Sequence, residues 1–170
     1  MVDQNGVYES RGPCANVAMT QVIVYGISIF LTWYRVWWAT ILGLIVAIVG
    51  VVATKEPTDF GKLTLVSVYY YGNAAAVGMH AVAWGTLLFC LFRDHVMEST
   101  FDSSDYGYQN EFGSVGAVWV FYIFLMIVVF VHMALALLGA VRARNFREEL
   151  LQNSDHGMAY TQLPDKAVDV

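Results

Sequence analysis

Residues 116–141 hold no charged side chain, and Arg142, Arg144 and Arg147 follow at once. Three more apolar blocks precede this one, at roughly 17–34, 36–54 and 66–92. A helix needs about 20 apolar residues to cross a hydrocarbon core of about 30 Å. Four such blocks in 170 residues leave little chain for anything else. The sequence predicts an all-α integral membrane protein, an antiparallel four-helix transmembrane bundle with helices at about 17–34, 36–54, 64–92 and 116–141. Residues 1–16 form an N-terminal segment, 17–141 the transmembrane domain and 142–170 a tail. The chain is 58% hydrophobic and only 14% charged, against about 25% charged residues in a soluble domain.

Block 17–54 is nearly twice the length that one span needs, at about 1.5 Å per residue. Its one charge, Arg35, lies in the aromatic run Trp33-Tyr34-Arg35-Val36-Trp37-Trp38. Tryptophan and tyrosine prefer the membrane–water interface, and a charge at mid-bilayer costs at least about 2.5–3.5 kcal/mol. The run is therefore a tight turn between two helices. Lys55-Glu56-Pro57 ends the second helix, since proline and the charges beside it cannot continue a span. Tyr69, Tyr70 and Tyr71 suggest an aromatic belt at the start of the third.

Lysine and arginine near the span ends give the orientation. One side collects Arg11, Lys55, Lys62, Arg142, Arg144 and Arg147, and the other Arg35 and Arg93. That bias predicts cytoplasmic N- and C-termini. The polar first 16 residues lack the apolar stretch and cleavage site of a signal peptide. Plasma membrane or an endomembrane vesicle is the expected location.

Within the spans, Asn73, His80 and His132 are the polar candidates, because ionisable and amide groups are costly in lipid. His80 lies eight residues from Gly72 and His132 nine from Val141. On antiparallel helices the two rings would share a depth. Such a pair suits a ring–ring hydrogen bond, a proton relay, or axial ligation of one haem b; two neutral, locally satisfied histidines are the plainer alternative. Gln21, Thr20, Thr32 and Thr40 read, with Asn73, as interhelical hydrogen-bonding groups. Ala39, Gly43 and Ala47 recur at helical spacing, as do Ala74 and Gly78, then Ala81 and Gly85. Small residues let helices approach in lipid, so Ala39, Gly43, Ala47, Gly78 and Gly85 are the expected packing positions.

No zinc-ligand spacing, nucleophile elbow or phosphate-binding glycine loop occurs in the chain. No span contains Asp, Glu or Lys, which disfavours a coupled transporter. The expectation is a protein that is not an enzyme, with no catalytic residue, no metal site and no required cofactor. The acidic stretch from Asp94 to Glu111 reads as a solvated loop. Nucleic acid is not an expected partner, for want of a basic stripe. Cys14 lies beside the first span and is a candidate for S-palmitoylation. In the tail, Tyr160-Thr161-Gln162-Leu163 has the form of a tyrosine-based sorting signal, with Tyr160 and Leu163 entering separate pockets of a clathrin adaptor in extended form. Val168-Asp169-Val170 fits a PDZ-type carboxylate ligand.

A short first outer turn, a short basic inner loop and a longer second outer loop resemble the membrane-spanning four-domain family, the B-lymphocyte antigen type of tetraspan. Ala18-x-x-Gln21 with Gly26, the run through Gly43 and Gly50 to Ala53-Thr54-Lys55, and Ala134-x-x-x-Leu138-Gly139-Ala140-Val141-Arg142-Ala143-Arg144 are the residues that look similar. Vesicle tetraspans of the MARVEL type share the layout. The resemblance implies a homo- or hetero-oligomeric adaptor that organises, traffics or modulates other membrane proteins, with signalling or ion flux downstream. A haem-binding or proton-conducting subunit built on His80 and His132, and an ion-channel subunit, are the alternatives.

Overall fold

A computed structural model describes residues 8–33, 35–55, 61–101 and 115–161. It contains four helices, α1 (Arg11–Thr32), α2 (Trp37–Lys55), α3 (Gly61–Phe101) and α4 (Val115–Thr161). Each is long and apolar enough to cross a membrane. α1 packs on α2 and α4, α3 packs on α2 and α4, and the α2–α4 diagonal barely touches. The helices are antiparallel around this square. Arg11 at the start of α1 bonds the carbonyls of Thr54 and Lys55 at the end of α2, and Arg147 of α4 reaches Ser67 near the start of α3.

The aromatic run makes the expected turn. Backbone bonds from Arg35 and Val36 to the Thr32 carbonyl close it. The helix ends differ from the sequence reading in three places. α1 begins at Arg11, six residues earlier than the apolar block, because Pro13 in a first turn removes an N–H that has no helical partner anyway. α3 runs on to Phe101, into the acidic stretch expected as loop. α4 runs to Thr161 and is 47 residues long, about 70 Å at 1.5 Å per residue, more than twice a hydrocarbon core.

As far as Glu149, that extension of α4 is part of the bundle. Ala143, Phe146 and Glu149 continue the buried line of Val129, His132, Ala136 and Gly139. Phe146 meets the Tyr8 ring edge-on at 6.0 Å. The Glu149 carboxylate accepts the amides of Glu9 and Ser10 at 2.9 and 3.0 Å. It thereby caps the start of α1, where Ser10 makes no side-chain cap of its own. Burial pushes this carboxyl up, but the bonds from Ser10 and Glu9 outweigh it and hold the group below its ordinary value.

The exterior of the bundle is apolar: Ile23, Ile27, Phe30, Ile45, Phe89 and Ile127 are exposed. The interior holds Gln21, Thr32, Thr40, Asn73, His80 and His132, all at 1% exposure or less. This is the reverse of a water-soluble bundle. It suits an integral membrane protein, in which lipid solvates the apolar faces and polar groups must find partners inside.

Candidate functional site

The buried face of α1 carries Cys14, Ala18, Gln21, Tyr25, Ser28 and Thr32 at steps of three and four residues. Its middle and the part toward the Trp33–Val36 turn are polar, and every neighbouring helix has something to offer them. Gln21 Nε2 donates to Asn73 Oδ1 and to the Leu135 carbonyl, both at 2.8 Å. Tyr69 donates its hydroxyl to Gln21 Oε1 at 2.7 Å. Asn73 Nδ2 donates to the Tyr69 carbonyl one turn back, at 2.9 Å. One glutamine thus ties α1 to α3 and α4, with both amide hydrogens and its oxygen used.

Glycines provide the room. A Cβ on Gly139 would meet Gln21 Nε2 at 2.5 Å and Asn73 Oδ1 at 2.6 Å. Gly43 faces the Tyr25 ring, where a Cβ would meet it at 2.8 Å, and Gly50 faces the ring of Tyr69. Toward the turn, Thr32 and Thr40 share a hydrogen bond at 2.9 Å that joins α1 to α2.

Between these layers lie the histidines. His80 and His132 meet edge to face, with ring centroids 5.4 Å apart and planes at 79°. Tyr25 stacks on His80 at 5.7 Å and meets His132 at 4.8 Å. Its hydroxyl donates to the His132 carbonyl at 3.1 Å. His80 Nδ1 lies 2.6 Å from the Ala76 carbonyl. A carbonyl only accepts, so Nδ1 carries the proton and Nε2 presents a lone pair. Among the described residues, no group bonds His80 Nε2 or either nitrogen of His132. Leaving such a group buried and unpaired costs about 1–3 kcal/mol.

The pair does not fit a haem. Axial ligation by both rings needs a flat macrocycle and its iron between the ring nitrogens. Here the imidazoles touch, and Tyr25 packs against both. Among the described residues, no three His, Cys, Asp or Glu side chains converge.

The structure brings His80 and His132 together and joins Asn73 to Gln21. It buries Ala39, Gly43 and Ala47 between helices. Gly78 and Gly85 do not pack inside the bundle. They lie on the exposed face of α3, and a Cβ on either would meet nothing within 4 Å. The inward face of α3 belongs instead to Tyr69, Asn73, Ala76, His80 and Ala83. Because α1 starts early, the Cys14 thiol points inward, at 0% exposure, into the cluster with Tyr69 and Phe146. Tyr160 lies in the last turn of α4, so binding in extended form requires that turn to unwind; Leu163 falls outside the described residues.

Tyr25 and Tyr69 were not legible as site residues. Tyr69 sits in a run of three tyrosines that reads as an interface belt, yet it is fully buried while Tyr71 is exposed. The available signal was spacing: Tyr69, Asn73 and His80 fall on one helical face, as do Gln21 and Tyr25. No protein-family model, curated protein or solved structure matches this chain.

Proposed function

We propose that this protein is a non-enzymatic multi-pass membrane protein that associates through α3 with other membrane helices and so organises or traffics them. The observation that carries this is the outer face of α3. Ala74, Gly78, Ala81 and Gly85 lie on it at steps of four, three and four, all exposed. Such a row makes a smooth groove in which another helix backbone can approach closely. The corresponding row on α2 is already used inside the bundle. The tetraspan resemblance agrees with this role, and Tyr160 with Leu163 would supply the sorting signal.

The test is the association state of Gly78→Leu and Gly85→Leu, singly and together, measured by photobleaching step counts of the labelled chain in native membranes. Co-purified membrane proteins are compared in parallel. Among the described residues, a Cβ at either site meets nothing within 4 Å, so helix content and unfolding should match the parent. Loss of association is expected. Unchanged association and unchanged partners in the double variant would overturn the proposal.

A second reading, a proton-binding membrane subunit, is favoured by the unpaired nitrogens of His80 and His132. In it, His80 Nε2 takes up a proton and can pass it to the adjoining imidazole. Proton flux into vesicles holding the purified protein and a trapped pH dye tests it. Flux absent from the parent, or equal in His80→Leu, removes this reading and leaves the first untouched.

A further inference from the structure

We propose that the cavity between the start of α1 and the end of α2 binds an anionic phospholipid, with its phosphate at Arg11 and Lys55 and an acyl chain along Met19 and Val51. The cavity has a volume of about 400 Å³, within the range of about 300–1,000 Å³ usual for small-molecule sites. Its lining changes character along the helices. Arg11, Gly12 and Lys55 stand at the helix ends, where the apolar spans give way to charge. Ala15, Met19 and Val51 line the part nearer the middle of the spans. A phospholipid at the edge of a membrane has the same order, charge outside and hydrocarbon inside.

The cationic end is built into the fold. Arg11 Nε donates to the Thr54 carbonyl at 2.8 Å and Nη2 to the Lys55 carbonyl at 2.9 Å. These bonds satisfy orphan carbonyls at the end of α2 and fix the guanidinium against the cavity wall. A guanidinium has five N–H donors, so two engaged leave three for an anion. Lys55 is exposed and adds a second positive charge at the rim. Basic pockets between membrane helices commonly receive anionic headgroups. A free phosphate would neutralise the charge but leave Met19, 47% exposed, and its neighbours uncovered. The apolar wall therefore points to a lipid and not to a soluble anion.

Binding is measured by native mass spectrometry on the full chain, released from a zwitterionic detergent. The probes are dioctanoyl phosphatidylserine, dioctanoyl phosphatidylcholine and inorganic phosphate, each titrated separately. The expected result is one saturable adduct with the serine lipid, weaker adducts with the choline lipid and none with phosphate. Lys55→Gln should weaken the serine lipid about fivefold, equivalent to about 1 kcal/mol for one basic residue at a membrane surface. Gly12→Phe fills the cavity without changing charge, since a Cβ there meets nothing within 4 Å, and should abolish the adduct. Arg144→Gln, an exposed cation on α4, should change nothing. Equal binding of the serine and choline lipids, displacement of the lipid by phosphate alone, or equal losses in Arg144→Gln and Lys55→Gln would each overturn the proposal. So would a parent-like affinity in Gly12→Phe.

Discussion

Replacing Gly139 by alanine adds one methyl at the point where α4 touches the Gln21–Asn73 hydrogen bond. The new Cβ would lie 2.5 Å from Gln21 Nε2 and 2.6 Å from Asn73 Oδ1. Neither group can easily retreat. Gln21 is held on three sides, by Asn73, Leu135 and Tyr69, and Asn73 is also tied to the Tyr69 carbonyl. The methyl therefore breaks the bond or pushes α4 outward. A buried interhelical hydrogen bond in a membrane protein is worth about 0.6–2 kcal/mol, and overpacking costs about 1–3 kcal/mol. Alanine returns up to about 1 kcal/mol in helix propensity. The sum is a net loss of about 0.6–4 kcal/mol for Gly139→Ala. Gly78→Ala, with open space around it, should be neutral or slightly stabilising. Unfolding in mixed micelles of dodecyl sulfate, followed by circular dichroism, compares the two. A double-mutant cycle with Asn73→Ala should show coupling of about 1 kcal/mol, because shaving the amide removes one of the two obstacles and frees Gln21 Nε2 from one of its bonds. Equal stability of Gly139→Ala and Gly78→Ala, or strict additivity with Asn73→Ala, would refute the space argument.

His132→Leu removes two unpaired nitrogens but also an aromatic contact, so its stability should lie between neutral and about 2 kcal/mol above the parent; a clear loss in the same unfolding assay would show that the ring has a partner. Glu149→Gln should cost about 1–2 kcal/mol at neutral pH, because charge-assisted bonds to two amides become weaker neutral ones. The Glu149 carboxyl is held below its ordinary value in the fold, so its contribution is complete above the ordinary carboxylate pKa and fades as pH falls through the lower folded value. The parent should lose stability across that acidic window, while Glu149→Gln should respond less; parallel pH curves would rule the cap out. Thr40→Val severs the Thr32 hydrogen bond beside the turn and should cost about 0.6–1 kcal/mol by unfolding. Tyr160→Ala should raise the surface fraction seen by biotinylation and leave stability within about 0.5 kcal/mol; an unchanged surface fraction would remove the sorting signal.

Span number and helix type were legible because the bilayer imposes one length and one kind of backbone satisfaction on every span, and a run of apolar residues records both. The turn at Trp33–Val36 was legible for the same reason, since Arg35 is too costly at mid-bilayer. The shared depth of His80 and His132 followed from counting residues on antiparallel helices. Helix ends were less legible. Hydropathy marks where lipid stops, whereas a helix continues as long as its backbone bonds and one packed face are maintained, as Ala143, Phe146 and Glu149 maintain α4 beyond Arg142.

Which of the shared helical faces turns inward was decided by tertiary structure alone. The small-residue rows on α2 and α3 look equivalent in the sequence. Only the packed bundle turns Gly43 toward Tyr25 and leaves Gly78 and Gly85 outside. The three consecutive tyrosines are likewise equivalent until α1 supplies Gln21 as a partner for Tyr69 and for neither neighbour. In water, hydrophobicity would have sorted the faces of each helix. In a bundle whose outside is apolar, that sorting is weak, and the choice falls to hydrogen bonds and close approaches between residues far apart in the chain. A single sequence lists the donors, acceptors and glycines, but only the fold pairs them.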